Sequence, residues 1–287
     1  MRVMGAEIKN EEGSRAFVRD VGLASIAPFI AKFKGVALIP VITKWVGAEE
    51  FGIWKQFAFV CGIIAILTTL GLGKVNHRYL APMRDPKTFS AHFYAILLVV
   101  TGTTIAVSLA TLLAPQFFAR RFFGAEASVM VVYLLAIYLP ILAVSNRIKS
   151  FFKARRRFDV FSPLSVIRNL ISIAVVSSLI IWTGEVKFAI VGFVAWELGA
   201  AILMFWIAGR TLNLKVIKPD FSDLKKYLSF GLPLILVTIG VRLAEIGDRF
   251  VIVNALDAEA VGIYSVAYAA GAVGVLFLKP ITQVLLP

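Results

Sequence analysis

The stretch VGLASIAPFIAKFKGVALIPVITKWVGAEEFGIW, residues 21–54, decides the fold class. An apolar run reaches Trp45, a short turn holding Glu49 and Glu50 follows, and a second apolar run begins at Ile53. A helix needs about 20 residues to cross the hydrocarbon core of a bilayer, and residues 21–45 and 53–73 each supply that length. The pattern repeats along the chain. Further spans are expected at 92–114, 129–146, 164–182, 188–208, 230–254 and 262–286. The reading is an all-α, polytopic transmembrane bundle of about eight spans.

Composition agrees. Of the 287 residues, 59% are hydrophobic and 16% charged, and the mean hydropathy is +0.86. A water-soluble domain has no interior large enough to hide that much apolar side chain, so the bilayer must solvate much of the surface. Pro28, Pro40, Gly62, Pro140, Pro233 and Gly240 fall inside spans, where neighbouring helices can satisfy freed backbone groups. The first 20 residues are polar and the first apolar run is too long for a signal h-region, so no cleavable leader is expected.

The net charge of +13 sits in short loops beside apolar spans rather than in one patch, which argues against nucleic acid as a partner. Arg and Lys alternate by side. The N-terminal segment holds Arg2, Lys9, Arg15 and Arg19, and the loop after span two holds Lys74, Arg78, Arg84 and Lys87. The loop after span four runs from Arg147 through Lys149 and Lys153 to Arg157, and the one after span six holds Arg210, Lys215, Lys218, Lys225 and Lys226. The intervening loops are poor in cations. By the positive-inside rule both termini face the cytoplasm, in the cell's cytoplasmic (inner) membrane. Segment 147–157 reads as a topology signal resting on anionic headgroups, with a nucleic-acid patch as the alternative. Trp45, Trp54, Trp182 and Trp206 lie near span ends as interfacial anchors. The single Cys61 excludes an internal disulfide, and two histidines (His77 and His92) are too few for a histidine-rich metal site. No cofactor and no metal are expected.

One octet occurs twice. Gly47-Ala48-Glu49-Glu50-Phe51-Gly52-Ile53-Trp54 and Asp257-Ala258-Glu259-Ala260-Val261-Gly262-Ile263-Tyr264 match as x-Ala-Glu-x-x-Gly-Ile-aromatic, 210 residues apart. Each joins one span to the next, and the same offset aligns Lys32 with Arg242. Span seven therefore reads as the start of a second structural half. The expected organisation is a cytoplasmic segment (1–20), a six-helix bundle (21–208), a cytoplasmic linker (209–229), and the first two helices of a second, incomplete bundle (230–287). The apolar run reaches Pro287 without a polar tail, so a truncated product of a twelve-helix protein is expected, with a native eight-span protein as the alternative.

Taken in order, these segments resemble a family. The turn from Gly47 to Trp54 resembles the "LG-x-E-x-(Y/F)-G" signature after the first helix of polysaccharide-biosynthesis, O-antigen-type lipid-linked oligosaccharide flippases. Tyr227-Leu228-Ser229-Phe230-Gly231-Leu232-Pro233 resembles the start of their seventh helix. Asp248-Arg249-Phe250-Val251-Ile252 followed by Ala260 to Tyr268 resembles their "D-R-x-x-I…A-V-G-x-Y-x-x-A" stretch. This is the oligosaccharide-lipid branch of the multidrug/oligosaccharidyl-lipid/polysaccharide exporter superfamily. The resemblance implies two six-helix bundles around a central cavity that opens alternately to each side. It also implies an undecaprenyl- or dolichyl-pyrophosphate-linked glycan as cargo, and glycan polymerase or ligase proteins as partners beside the membrane lipids.

The charges inside the spans carry the functional reading. Lys32 lies about eleven residues into span one, near the midplane on a rise of ~1.5 Å per residue, and Arg242 lies at similar depth in span seven. A reach of ~6 Å does not take such a cation to water, so it points into a cavity or pairs with an acid. Lys34 falls on a different face from Lys32. Arg242, Glu245 and Arg249 share one helix face, with Asp248 to the side, as cavity cations or as a self-neutralised strip. Glu197, midway along span six, is a coupling acid or a pairing partner. Arg168 and Lys279 lie nearer the inner surface and either snorkel or touch ligand.

The substrate-binding candidates are thus Lys32, Arg242, Arg249 and Arg168, and the coupling or partner acids are Glu197, Glu245 and Asp248. Moving a diphosphate through hydrocarbon requires fixed positive charge in place of water. The protein is expected to be a transporter and not an enzyme, since no Walker motif is present and no covalent step is needed. Two rivals remain. A drug/cation antiporter would want buried carboxylates, and spans one to five carry none. An integral-membrane glycosyltransferase or acyltransferase would want an acidic cluster, whereas Asp85, Asp159, Asp220 and Asp223 are scattered.

Overall fold

The computed structural model describes residues 2–123, 129–155, 157–269 and 271, with side chains from Ile30 onward apart from Lys32, His77, Glu245 and Ile246. Every regular element among them is helical. In chain order these are α1 (Arg2–Thr68), α2 (Leu72–Val75), a π-helical turn (Asn76–Leu80), α3 (Pro86–Leu113), α4 (Pro115–Phe123), α5 (Val129–Ala154), α6 (Phe158–Thr183), α7 (Val186–Thr211), α8 (Leu224–Ile246) and α9 (Asp248–Ala255). A last helix, α10, covers 258–269.

Six helices are long and apolar enough to cross a membrane among the described residues, against the eight spans expected. The difference has two local causes. Spans one and two are two helices that abut at Gly47, whose non-helical φ of 86° only glycine adopts freely, and they count as one long element, α1. Span eight is described only in part.

Hydropathy also misplaced several ends. Span 230–254 is two helices, α8 and α9, meeting at Gly247. The N-terminal segment, read as a polar tail, is helical from Arg2. Segment 147–157, a loop by hydropathy, is helical as far as Ala154, where α5 ends. Hydropathy marks where apolar side chains stop, whereas a helix continues for as long as its backbone bonds close. At 26 residues, α5 extends ~39 Å, beyond the ~30 Å of hydrocarbon.

Local chemistry sets other boundaries. Pro86 opens α3 at a position that needs no N–H, and Asp85 caps it by accepting from Thr88 N at 2.8 Å and from the Thr88 hydroxyl at 2.6 Å. The Thr88 hydroxyl, and then its N–H, hold the Asp85 carboxyl below the usual carboxylate range. At the other end of the bundle, Glu50 accepts from Val186 N at 3.0 Å. It thereby satisfies a free donor at the start of α7, at the end favourable for negative charge. The second glutamate of the Gly47–Trp54 turn is therefore a helix cap across the bundle.

The main bundle packs α1 on α6, α3 on α5, and α7 on both α5 and α6. Its central core joins Phe57, Tyr138, Leu139, Val176 and Ile190. A second cluster, around Leu72, Phe89, Phe93, Phe151 and Tyr227, closes the end that carries the basic loops. Leu109, Ile202 and Leu236 are exposed on the outside, as lipid-facing residues of a membrane bundle must be.

The two copies of the octet meet each other. A Cβ built on Gly52 would overlap the carbonyl oxygen of Ala258, and one built on Gly262 would overlap the carbonyl oxygen of Ala48. The contact is reciprocal at the 210-residue offset, since Ala48 and Gly52 correspond to Ala258 and Gly262. It is thus a pseudo-two-fold contact of backbone on backbone, which glycine alone permits. A second glycine pair lies toward the basic end. Gly71 (φ 67°) follows Leu70 (φ 50°) in a left-handed corner, and a Cβ on Gly71 would overlap the Gly231 carbonyl oxygen.

These contacts predict that Gly52→Ala lowers the melting temperature in detergent, by an overpacking cost of about 1–3 kcal/mol. Gly102→Ala on α3, where an added Cβ meets nothing within 4 Å, leaves it unchanged or raises it. Scanning fluorimetry showing equal melting for the two variants would remove the backbone contact from the fold's energetics.

Candidate functional site

Helices α1, α2, α5, α6, α7 and α8 surround a cavity of about 820 Å³, within the ~300–1,000 Å³ typical of small-molecule sites. Helical spacing builds its wall. The part of α1 after Gly47 contributes Lys55, Ala58, Gly62 and Ile66, and Thr69 just past its end continues the steps of three and four. From Lys55 to Thr69 this stripe rises ~21 Å, most of the ~30 Å hydrocarbon thickness. Facing it, α5 contributes Tyr138, Leu142, Asn146, Lys149 and Lys153 with the same spacing.

The lining is cationic. Lys34 on α1 and Arg242 on α8 face its middle. Lys55 lies toward the octet turns, and Lys74, Arg147, Lys149 and Lys153 lie toward the basic end. Among the described residues no Asp or Glu lines it. Like charges gathered in an apolar bundle repel strongly, because little water screens them. An anion entering the cavity relieves that repulsion, and a cation adds to it.

Lys34 Nζ donates to Ser172 Oγ of α6 at 2.7 Å and sits 4.7 Å from the centre of the Phe193 ring of α7. Phe193 belongs to an aromatic wall. Trp54 meets it edge-on at 5.5 Å, Tyr138 meets it at 5.1 Å, and Phe57 stacks on Tyr138 at 5.8 Å. These contacts fix the ring that faces the ammonium. Opposite, Arg242 lies over Gly62, where a Cβ would come within 3.3 Å of Nη2. The glycine that looks like a helix breaker in the sequence makes room for a guanidinium.

The other sequence candidates separate from this group. Arg168 forms a buried ion pair with Glu197 across α6 and α7, and its carbonyl accepts from Trp196 Nε1 at 3.1 Å. Arg249 is buried where α9 meets α10. It lies 3.4 Å from Asp248 Oδ1, donates to Ser265 Oγ at 3.3 Å, and faces the Tyr268 ring at 4.7 Å. Asp248 also accepts from the Tyr264 hydroxyl. Neither Arg168 nor Arg249 lines the cavity. The side chains of Lys32 and Glu245, and Lys279 altogether, lie outside the described residues.

Sequence reasoning chose Lys32 rather than Lys34 and missed Lys34, Lys55, Lys74, Arg147, Lys149 and Lys153 as lining groups. A signal for three of them exists. Carrying the α5 spacing of Tyr138, Leu142 and Asn146 past the end of its apolar run places Lys149 and Lys153 on the same face, with Arg147 beside it. Nothing comparable marks Lys74, whose position depends on the left-handed corner at Leu70 and Gly71.

The Arg168–Glu197 pair is expected to behave as a unit. Glu197→Gln or Arg168→Met alone leaves one buried charge, a loss of about 3–5 kcal/mol. The double variant recovers much of it. Thermal melting of the four proteins tests this as a double-mutant cycle, and additive losses would show that the two side chains are energetically independent.

The chain can now be compared with known proteins. It is similar to the teichuronic acid biosynthesis protein TuaB of Bacillus subtilis (strain 168), with 25% identity over 167 residues. The match covers 58% of this chain and spans about a third (34%) of the relative's length. No solved structure matches. The family model described as polysaccharide biosynthesis protein matches residues 17–287. With that match over nearly the whole chain, on a bundle of apolar membrane-length helices, this multi-pass membrane protein belongs to the polysaccharide biosynthesis protein family.

Proposed function

We propose that the protein is a flippase that moves a lipid-pyrophosphate-linked oligosaccharide across the cytoplasmic membrane by alternating access. The observation that carries this reading is the cavity's charge: Lys34 and Arg242 both line it, and no carboxylate lines it among the described residues. The relative's role in teichuronic acid biosynthesis and the family itself agree with it.

The chemistry follows from the lining. The diphosphate sheds water and is received by Lys34 and Arg242 through charge-assisted hydrogen bonds. Sugars travel in the polar cavity, and the aromatic wall of Trp54, Phe57, Tyr138 and Phe193 offers apolar faces to their rings. The polyprenyl chain stays in lipid. The basic end faces the cytoplasm by the positive-inside rule, so cargo enters there. The reciprocal glycine contact between the octets closes the opposite end, and its separation opens the outward path. No covalent step is involved. Glycan polymerase or ligase proteins are the downstream partners. Glu197, with Arg168, is the described acid within the bundle best placed to answer an ion gradient.

A cationic drug as cargo is opposed by the same lining, which offers it repulsion and no counter-charge.

Lys34→Ala and Arg242→Ala are each expected to cut lipid-linked glycan translocation about ten-fold or more, with membrane expression preserved. Translocation is followed with the full chain in proteoliposomes carrying a lipid-linked glycan. Arg84→Ala, in the connection between the π-turn and α3, serves as the control and leaves transport unchanged. Wild-type transport by both cavity variants would remove the charged-cavity mechanism.

A further inference from the structure

A cavity apart from the central one opens beside α4. It holds about 490 Å³, shares no lining residue with the central cavity, and is bounded by Gln116, Phe117, Arg120, Arg121 and Asn254. Its place follows from α3, which starts beside the basic loops and rises ~42 Å over its 28 residues. Because α4 follows at once, this cavity lies at the end of the bundle opposite those loops.

Helical spacing gives α4 two faces. Ala119 and Phe123 are buried, and Phe118 and Phe122 pack on the main core. Gln116, Phe117, Arg120 and Arg121 fall on the opposite face, at i, i+1, i+4 and i+5, and all four are exposed. Adjacent arginines stand out at the cation-poor end of the bundle. Lys187, at the same end, is paired with Glu185. The helix dipole favours cations in the last turn of α4, but it does not account for a polar wall supplied by a second helix.

That wall is built. Asn254 of α9 donates to its own helix, to the Phe250 carbonyl at 2.7 Å, which turns its oxygen outward. Arg121 Nη1, 133 residues away in sequence, donates to that oxygen. The Arg121 guanidinium also lies 5.2 Å from the centre of the Phe250 ring. Phe250 is held in turn by Phe122 at 5.7 Å and by Phe59 at 6.5 Å. One guanidinium is therefore fixed in place, with a second beside it, and no acid lines the cavity among the described residues. Leu109 and Leu113, exposed at the end of α3, continue the apolar surface of Phe117 toward the bilayer. Positive charge above apolar surface matches a lipid, with its headgroup above its acyl chains, better than a soluble anion.

We infer that this cavity binds the headgroup of an anionic glycerophospholipid in the leaflet opposite the basic loops. The phosphate is received by Arg120 and Arg121 through charge-assisted hydrogen bonds. The acyl chains run along Phe117, Leu113 and Leu109. The lipid thus touches α4 and α9 together, at a place that no cargo in the central cavity reaches.

Leu113→Trp adds a fluorescent reporter beside the cavity and keeps the position apolar. The purified full chain is reconstituted in phosphatidylcholine bilayers that contain brominated phosphatidylglycerol or brominated phosphatidylcholine. Quenching of the added tryptophan is read as the difference from the protein with Leu113. Phosphatidylglycerol is expected to bind there about five-fold or more tightly than phosphatidylcholine. Arg120→Gln combined with Arg121→Gln should bring the ratio to about one. Asn254→Asp keeps an oxygen for Arg121 and sets a negative charge in the wall, so it should also abolish the preference, and it decides the matter where the double variant does not fold. A ratio of about one with both arginines in place, or an undiminished ratio in either folded variant, overturns the site. Displacement of the brominated phosphatidylglycerol by a polyprenyl diphosphate at about a tenth of its mole fraction overturns the assignment to phospholipid, in favour of a polyprenyl carrier.

Discussion

Positive charge gathered inside an apolar bundle is the constraint that organises this protein. Lys34, Arg147 and Arg242 are carried on membrane-length helices and point into one shared space whose lining holds no carboxylate among the described residues. Such an arrangement is costly for the empty protein. The surrounding structure reduces the cost at each position by a different means. Lys34 leans on a hydroxyl and an aromatic face. Arg242 and Arg147 each lie against a glycine. Neither the hydroxyl and ring beside Lys34 nor the glycine beside Arg147 carries a negative charge. By contrast Arg168 and Arg249 have acids beside them, and each also links two helices.

The division between cations that line the cavity and cations that do not also bears on which parts of the site were legible in the sequence. The all-α membrane class follows from apolar runs of membrane length, which is a one-dimensional property. Arg242 was legible because a charge deep in an apolar run is conspicuous wherever the helix turns. Whether it faces Gly62 or Glu197 depends on how helices rotate against each other, which no single span encodes. The same applies to Arg168 and Glu197, 29 residues apart and joined only when α6 packs on α7. Lys149 and Lys153 were hidden for another reason. They sit where α5 outruns the hydrocarbon, so a reading tuned to hydropathy assigned them to a loop.

The octet repeat shows what a short motif can encode. Its glutamate, Glu50, ends up capping α7, and its glycine, Gly52, lets the two copies of the turn touch. Neither role is chemical in the sense of binding cargo. Both fix where the α1 break stands relative to the rest of the bundle, and therefore where the cavity ends. The left-handed corner at Leu70 and Gly71 does similar work toward the basic end, setting Lys74 and Gly73 beside α5.

A column of water lined with lysine and arginine, if it ran from face to face, would pass chloride and short-circuit the potential the cell maintains. On the proposed transport cycle the glycine seam between the two turns answers that hazard, because main chain lies directly on main chain there. It does so without ion pairs or interlocking side chains that would have to be torn apart. On that cycle, electrical insulation and ease of parting come from the same missing methyl groups.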